Sequence, residues 1–404
     1  MIVTRSGVND AAELETALRS TGAASATAHL TGISATAIGA GAMADTFRVS
    51  LTWQDPDSGP PSAVVKQPAQ DSAAATTAAS LGAYEREARF YTELAPHTDV
   101  RVPRLLGVSG TGAEGIPNTI VLEDLSENYR PGDQIGGTAL RDVQRARRQL
   151  ALLQAPFWDE TATADLAWLH RRIGVPIPGI LRRMHESWHS ARTDFDAALS
   201  PDQRACIDRF VENAETWAAS AFGPFSLVHH DYRVDNMLFS PTDVVAIDWQ
   251  TIGWGPAMFD VAYLLGTSMN AELRRAVEQA EIRTHLDELE DLGVTWDHDA
   301  AWDAYRWSRF RFCSCSFRRS HRSNQTPEWK PCLRVCSRWA PRWHSISTPS
   351  IFCRTERPSA RFSHQHQEAR CQRNPPSSTR TTPYSRQSAR VSPSTRAVNS
   401  SRGE

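Results

Sequence analysis

Cysteine and lysine are scarce in the first three quarters of this 404-residue chain. Only Cys206 precedes residue 309, so that part cannot rest on a disulfide framework. The six later cysteines lack the paired spacing of a zinc module, apart from a bare Cys313-Ser-Cys315. No apolar run approaches the roughly 18 residues of a membrane-spanning helix, and the first residues lack the apolar segment of a secretion signal. We therefore expect a cytoplasmic protein without a membrane partner.

Acidic residues become scarce after residue 308. Residues 309–404 contain 18 Arg and one Lys against four Glu and no Asp, a charge of +15, whereas residues 1–308 carry −17. The near-neutral total of −2 therefore hides two unlike parts. The later part also holds 18 Ser and shows no sustained helical or strand period. Such a segment buries too little apolar surface to offset its ordering entropy, which predicts a disordered basic tail.

Two interpretations of this tail remain open. As a basic arm it would bind nucleic acid or membrane surfaces electrostatically, and its non-specific affinity for nucleic acid would fall as salt rises. Alternatively, a change of reading frame near residues 307–312 has replaced the original C-terminus, since the composition shifts abruptly there. That hypothesis requires another frame of the gene to encode a helical continuation after AWDAYRWS. If it holds, the last helices of the preceding domain are missing and the activity of this chain is in doubt.

Strand patterns dominate before about residue 125. Phe47, Val49, Leu51 and Trp53 alternate with polar residues, which is the period of a half-buried strand. The turn-rich QDPDSGPPS separates them from AVVK, so the two runs are expected to pair antiparallel.

A glycine-rich turn precedes these strands. Gly39-Ala-Gly41 could let backbone N–H groups approach phosphates, because glycine tolerates the required conformations. Ala44 occupies the third glycine position of a G-x-G-x-x-G pattern, so an ordinary hairpin is the alternative.

Lys66, at the end of AVVK, is the only lysine in residues 1–329. A lysine ammonium is a compact donor suited to phosphate oxygens, and it needs a carboxylate to position it. A helix is expected over residues 80–94, and Glu87 lies on its apolar stripe, where an unpaired charge is costly to bury. We predict a Lys66–Glu87 ion pair; a solvated lysine and an unrelated surface glutamate are the alternative.

Helical patterns dominate after residue 125. One helix is expected over about 138–158, and another after Ser200, which combines a serine cap with Pro201 and Gln203. Two short apolar runs, FSLV and VVAI, each lead to an aspartate, and a helical FDVAYLLG follows.

The central constellation is His229, Asp231, Asn236 and Asp248. Phosphoryl transfer needs one carboxylate to orient a hydroxyl and accept its proton. It also needs a carboxylate and an amide oxygen to hold Mg²⁺ against the phosphates. An H-x-D-x-x-x-x-N string alone could arise by chance, but the following strand that ends in Ile247-Asp248 makes chance less credible.

Four neighbouring polar residues each have two possible roles. His230 could serve the site or only pack the loop, and Arg233 and Asp235 could bind substrate or satisfy loop backbone groups. Asp260 is expected to be structural, either as a helix-start carboxylate or as a hydrogen-bond anchor.

These residues, in this order, resemble the aminoglycoside phosphotransferase and choline-kinase-like group of the protein-kinase-like fold, including its ecdysteroid-kinase-like members. The strings LVHHDYRVDNMLF and VVAIDWQTIGWGPAMFDVAYLLG carry the resemblance, which covers about residues 30–308. It implies an α+β bilobal kinase with an antiparallel β-lobe over residues 1–124, a larger helical lobe over 125–308 and the tail over 309–404. ATP would lie between the lobes.

The resemblance also implies roles for individual residues. Asp231 would be the catalytic base, supported by His229, and Asn236 and Asp248 would bind Mg²⁺. Residues implied to contact or support ATP are Gly39, Gly41, Lys66, Glu87 and, at the hinge, Glu123 and Leu125.

The implied function is phosphorylation of a hydroxyl group on a small molecule. Only ten residues, 249–258, separate Asp248 from the expected helix at Phe259, which leaves no room for the activation segment of a regulated protein kinase. A catalytically inactive, nucleotide-binding protein of the same fold is the alternative. The resemblance implies neither a particular acceptor nor an oligomeric state.

Overall fold

The computed structural model describes residues 11–38, 44–112, 115–170 and 200–310, together with six positions between 182 and 192. All of them fall within one compact unit, Met1–Ser345. Gly39, Gly41 and residues 311–404, for which the sequence predicts a phosphate-binding turn and a disordered tail, lie outside the described residues.

A five-stranded antiparallel sheet forms the N-terminal part. Its strands, in the spatial order β1-β2-β3-β5-β4, are β1 (Leu30–Ala37), β2 (Ala44–Trp53), β3 (Ser62–Pro68), β4 (Leu105–Ser109) and β5 (Thr119–Glu123). The expected antiparallel pairing of β2 with β3 is confirmed, with Thr46 opposite Lys66. The apolar residues of β2 point into a core that also holds Leu14 and Leu18 of helix α1 (Ala11–Ser20).

Two short helices, α2 (Ser72–Ser80) and α3 (Ala83–Arg89), follow β3. The expectation of one helix over residues 80–94 is wrong in its bounds. Gly82, whose φ of 60° is left-handed, separates α3 from α2. A π-helical turn, Phe90–Leu94, follows α3, and Pro96 lies just beyond it, where an α-helix cannot continue. The apolar stripe is nevertheless buried, and Glu87 is buried with it.

The C-terminal part is mainly helical. The helices whose bounds the structure describes are α4 (Leu140–Gln154), α5 (Thr161–Ala164), α6 (Pro201–Glu212), α7 (Ala214–Ala219), α8 (Met258–Ser268), α9 (Ala271–Asp291) and α10 (His298–Ser308). The predicted helix start at Ser200 is confirmed as a capping box with Gln203. Every residue of α8 is buried, so this helix is the centre on which the surrounding loops pack. No helix among the described residues has both the length and the apolar character needed to cross a bilayer.

Two small sheets interrupt the helices and position the loops of interest. One contains β6 (Arg130–Pro131), β8 (Met237–Phe239) and β9 (Val244–Ala246), and the other pairs β7 (Phe225–Val228) with β10 (Gly253–Pro256). The loop 229–236 therefore runs from one sheet to the other, and Asp248 follows β9. A backbone hydrogen bond of 3.0 Å from Ile247 N–H to Asn236 C=O joins the two segments. The predicted α+β class is confirmed.

Candidate active site

Lys66 of β3 lies between two carboxylates, which we call the Lys66 cluster. Its Nζ is 2.6 Å from Glu87 Oε2 on α3 and 2.5 Å from Asp248 Oδ1 after β9. Burial alone would lower the pKa of Lys66, but the attraction of Asp248 and Glu87 outweighs it, so the pKa is raised and the ammonium stays protonated. The expected Lys66–Glu87 pair is present, and it brings Asp248 into the same cluster.

Helix α3, which carries Glu87, is fixed to the segment that follows Asp248. Glu87 Oε1 accepts a 3.1 Å hydrogen bond from Trp249 N–H, and Arg86 Nη1 donates to Gln250 C=O at 3.0 Å. Phe90 stacks on Trp249, with ring centroids 3.9 Å apart. The side chains of α3 thus hold the backbone of the residues that follow Asp248. This keeps Glu87 and Asp248 in place around Lys66.

Asp248 has an unusual backbone, with φ of 67° and ψ of 59°. A non-glycine residue in this left-handed region is strained and needs its surroundings to hold it there. The bonds of its neighbours do so, since Ile247 N–H binds Asn236 and Trp249 N–H binds Glu87. Asp248 Oδ2 also accepts from Gln250 Nε2 at 3.2 Å. In this conformation the Asp248 carboxylate contacts Lys66.

Asp231 has a donor on each carboxylate oxygen. Asn236 Nδ2 donates to Oδ2 at 3.0 Å and to the backbone oxygen of Asp231 at 2.8 Å. Tyr263 of α8 donates to Oδ1 at 3.1 Å, and Arg233 Nε lies 3.4 Å from the same oxygen. The side chain is 27% exposed, so an oriented carboxylate remains accessible from solvent.

Asp260 fixes the beginning of the 229–236 loop. Its carboxylate accepts from the N–H of His229 at 2.5 Å and of His230 at 3.1 Å, so the anchor interpretation of Asp260 is the one observed. His229 Nδ1 accepts from Asp231 N–H at 3.3 Å, which assigns the proton to Nε2 and lets it donate to Ile247 C=O at 3.0 Å. His229 thereby links the loop to the segment of Asp248.

Three other polar residues of the loop bond to groups of the protein itself. His230 is fully buried with φ of 65°, and its Nδ1 is 3.1 Å from Thr251 C=O. Arg233 binds Asp235 at 2.5 Å, and Asp235 accepts from Gln134 N–H at 2.7 Å. Of the interpretations left open, the satisfaction of loop backbone groups is therefore the one seen for Asp235.

The two hinge residues lie apart from this cluster. Glu123 ends β5 opposite Ala63, and its Oε2 accepts from Arg104 N–H at 3.2 Å. The backbone oxygen of Leu125 accepts from Tyr129 N–H at 3.0 Å. No hydrogen bond or ion pair joins either of these described residues to the Lys66 cluster, and their expected place beside a nucleotide base stays a prediction.

Asn236 and Asp248 suit a magnesium ion that arrives with phosphates. The Nδ2 group of Asn236 is engaged by Asp231, which directs the amide oxygen away from that residue. Mg²⁺ prefers oxygen ligands and is commonly held by one or two side chains together with substrate phosphates. Among the described residues no group of three or more His, Cys, Asp and Glu side chains could hold a metal unaided. Asn236 and Asp248 offer oxygen donors of the kind that Mg²⁺ takes, and their role as its ligands stays a prediction.

Two contacts of the site were not expected from the sequence, those of Tyr263 and of Arg86. Tyr263 lies three residues after Asp260, so both face the same side of α8, and that spacing was an available signal. Arg86 donates to the backbone oxygens of Trp168 and Gln250, which lie 82 and 164 residues away in the chain. No local sequence pattern predicts such contacts.

Known proteins resemble this chain in sequence and in fold. A sequence model of the phosphotransferase enzyme family matches residues 34–307, and the match ends beside the change in composition. Acyl-CoA dehydrogenase family member 11 from Gallus gallus is 30% identical over 93 residues, which are 21% of this chain and 11% of that protein. The chain thus matches only about a tenth of that relative's length.

Two solved structures are similar in fold. A protein from Ralstonia eutropha JMP134, assigned as an aminoglycoside phosphotransferase, is 16% identical, with 82% of this chain and 96% of that chain covered and a TM-score of 0.51. Choline kinase from Cryptosporidium parvum Iowa II is 10% identical, with 76% and 88% covered and a TM-score of 0.48. At such identities a likeness concerns the fold alone, and the first of them confirms the two-lobed kinase-like architecture.

Proposed function

The chain belongs to the phosphotransferase enzyme family, and from that premise we propose that it transfers the terminal phosphoryl group of ATP to a hydroxyl group of a small molecule. The observation that carries the proposal is the Lys66 cluster beside the loop in which Asp231 and Asn236 are hydrogen-bonded. One protonated lysine, two carboxylates, an amide and a separate oriented carboxylate are the groups that phosphoryl transfer requires.

Asp231 acts as the base in this proposal. Its carboxylate accepts the proton of the acceptor hydroxyl while the hydroxyl oxygen bonds to phosphorus and the bridging oxygen leaves with ADP. Asn236 fixes the carboxylate from one side, and His229 fixes the backbone of the loop. Placing a hydroxyl within reach of an oriented carboxylate supplies much of the rate gain, because little covalent chemistry falls to the protein.

Lys66 binds nucleotide phosphate oxygens in this proposal. Two contacts to carboxylates leave one of the three ammonium N–H groups for a ligand, and the side chain is 14% exposed. Asn236 and Asp248 would hold Mg²⁺, which offsets phosphate charge when it is bound. Gly39 and Gly41 are proposed to lie over the phosphates, and Glu123 and Leu125 near the adenine. The β-lobe, 1–124, and the helical lobe, 125–308, would enclose the nucleotide.

A small acceptor fits the segment after Asp248 better than a protein substrate does. Only nine residues separate Asp248 from α8, and four of them form the buried strand β10. An extended platform for a polypeptide has no room there. The inactive alternative is not favoured, since each polar group of the proposed machinery among the described residues has the contacts that orient it.

Replacement of Asp231 tests the proposal. Asp231→Asn should lower turnover by roughly 10²–10⁴-fold, because the base is lost, while nucleotide-dependent thermal stabilisation persists. ATP and GTP consumption would be measured with a panel of hydroxylated metabolites and antibiotics. Asp243→Asn, in the turn between β8 and β9, is the matched control and should retain activity.

Two outcomes would contradict the assignment. Undiminished turnover in Asp231→Asn would remove Asp231 from the reaction. Nucleotide-dependent stabilisation of the unaltered protein, without phosphate transfer to any acceptor, would instead favour the inactive binding protein.

A further inference from the structure

Arg86, which precedes Glu87 on α3, donates three hydrogen bonds to backbone oxygens. Its Nε reaches Trp168 C=O at 3.1 Å, its Nη1 reaches Gln250 C=O at 3.0 Å and its Nη2 reaches Leu81 C=O at 2.7 Å. The first two oxygens belong to the helical part of the chain, and the third belongs to the turn before α3. One side chain therefore attaches α3 to two distant segments and braces the turn from which the helix begins.

The two distant segments that Arg86 reaches are joined to each other. His170 N–H donates to Ile252 C=O at 3.1 Å, and Trp254 N–H donates to His170 C=O at 3.1 Å. These bonds lie two to four residues beyond the oxygens that Arg86 binds. The positions of those oxygens relative to one another are therefore set within the helical part, independently of α3.

The guanidinium group of Arg86 suits three acceptors from three directions. It is planar and carries five N–H donors in a fixed fork, which a lysine ammonium does not offer. Burial lowers the pKa of Arg86 from 12.5 to about 10, against the opposing attraction of Glu85, so the side chain is still charged at neutral pH. A charged donor makes stronger hydrogen bonds than a neutral one, so these contacts fix the position of α3.

We propose that Arg86 is a positioning residue for the Lys66 cluster, one that attaches α3 to the helical part so that Glu87 stays beside Lys66. The inference rests on the proposed role of Lys66 in binding nucleotide phosphates. Because Arg86 and Glu87 are consecutive on one short helix, a shift of α3 away from the oxygens that bind Arg86 also moves the Glu87 carboxylate. Lys66 then loses one of the two carboxylates that direct its ammonium.

Other contacts also support α3 at this surface. Phe90 stacks on Trp249, and the Arg89 guanidinium lies 5.8 Å from the centre of the Trp168 ring. Ring contacts are favourable over a range of distances and angles, whereas a hydrogen bond weakens steeply when its direction changes. Without the hydrogen bonds of Arg86, α3 should therefore stay folded and attached but be less precisely placed.

The test is Arg86→Met, which removes the guanidinium and keeps an unbranched side chain. The Kd for ADP with Mg²⁺, measured by calorimetry, should rise roughly tenfold, since hydrogen bonds made by a charged group are lost. Arg86→Lys keeps the charge without the planar fork, so its Kd should lie between those of the unaltered protein and Arg86→Met. Unchanged affinity in Arg86→Met would overturn the proposal.

Arg145→Met is the matched control. Arg145 of α4 also donates to backbone oxygens of another segment, to Ser240 at 3.1 Å and to Asp243 at 3.5 Å, but it lies outside the proposed site. This variant should keep its Kd for ADP within about twofold of the unaltered protein while it loses thermal stability. Equal losses of affinity in the two variants would indicate general damage to the fold and overturn the role of Arg86. Should Arg86→Met fail to fold, Arg86→Lys and Arg145→Lys give the same comparison.

Hydrogen exchange separates this inference from the proposed function, because it needs neither nucleotide nor turnover. The backbone N–H of Trp249 is bound to Glu87 Oε1, so its exchange reports whether Glu87 is in place. Mass spectrometry of fragments that contain Trp249 or α3 should show exchange at least about tenfold faster in Arg86→Met and within about twofold of the unaltered protein in Arg145→Met. Unaltered exchange in Arg86→Met overturns the positioning role whether or not the protein binds nucleotide. Absence of ADP binding by the unaltered protein bears on the proposed function alone.

Discussion

The Lys66 cluster and a second ion cluster in the helical part contain the same kinds of charged group but differ in their hydrogen bonding and in the elements they connect. In the second, here the Arg147 cluster, Arg147 of α4 binds Glu281 and Glu288 of α9. Each cluster therefore sets one cation between two carboxylates. The guanidinium uses Nε toward Glu281 and both terminal nitrogens toward Glu288, a bidentate pair. Among the described residues, the ammonium of Lys66 has only its two carboxylate contacts.

The clusters also differ in what they join. Arg147 is 3% exposed and connects two helices, with both carboxylates on one of them. Lys66 is 14% exposed and connects a strand, a short helix and a segment 182 residues further along the chain. The two clusters thus differ in design. Under the proposed function only the Lys66 cluster binds a ligand, since its cation has an N–H group left over, is partly exposed and takes its partners from separate elements.

The largest effect is expected for stability at the Arg147 cluster. Arg147→Met should lower the free energy of unfolding by about 3–5 kcal/mol, since the buried Glu281 and the half-buried Glu288 are left without their guanidinium. Urea unfolding measures this. Arg148→Met, at the exposed neighbouring position, is the control and should change the free energy of unfolding by less than about 0.5 kcal/mol. Equal losses in the two variants would remove the distinction between a structural cluster and the surface.

The Lys66 cluster should show the reverse balance. Lys66→Met is expected to lower turnover by roughly 10²–10³-fold, the usual cost of losing one charge-stabilising donor, with a smaller loss of stability than Arg147→Met. ATP consumption and urea unfolding on the same sample give both values. Lys66→Arg should not restore activity, because a planar guanidinium does not replace a compact ammonium. A larger stability loss in Lys66→Met than in Arg147→Met would reverse the comparison.

The smallest effect concerns pH and His285, which lies beside the Arg147 cluster on α9. Burial, reinforced by Arg147, lowers the pKa of His285 from 6.5 to about 3. Neither ring nitrogen has a hydrogen-bond partner among the described residues. Below pH 6.5 this histidine binds a proton in the unfolded chain, whereas in the folded protein it stays neutral. The free energy of unfolding therefore falls as the pH is lowered from 6.5 to about 3.

His285→Leu should remove this contribution. Between pH 7.5 and 5.5 the unaltered protein is expected to lose roughly 1 kcal/mol more of its unfolding free energy than the variant does. Urea unfolding at both pH values measures the difference, with His97→Gln, at an exposed histidine, as the control. Identical pH dependence in the variant and the unaltered protein would mean that His285 is not held neutral.

Local periodicity was sufficient to predict much of the fold. Alternation in β2 gave the pairing with β3, and the Ser200 cap gave the start of α6. The spacing of Asp231 and Asn236 predicted residues that do lie together, because five residues of one short loop cannot separate far. Such features depend on neighbours in the chain, and a single sequence contains them.

Contacts between distant segments could not be predicted in the same way. The Asp248 contact with Lys66 depends on how the β-sheet rests on the helical part, and the Arg147 contacts depend on the crossing of α4 with α9. Tyr263 shares one face of α8 with Asp260, a spacing that the sequence contains, whereas its contact with Asp231 is set by the burial of α8 on every side. The break at Gly82 was missed because the helical stripe continues beyond it in sequence.

The attachment of α3 by Trp249, Gln250 and Phe90 has a consequence for when the Lys66 cluster forms. Two hydrogen bonds and a ring stack hold α3 against the segment that follows Asp248. The free-energy cost of bringing the like-charged Glu87 and Asp248 together around Lys66 therefore arises once, when the chain folds. In the proposed function nucleotide then meets an assembled site, so its association is expected to follow a single kinetic phase without a slow rearrangement of this helix.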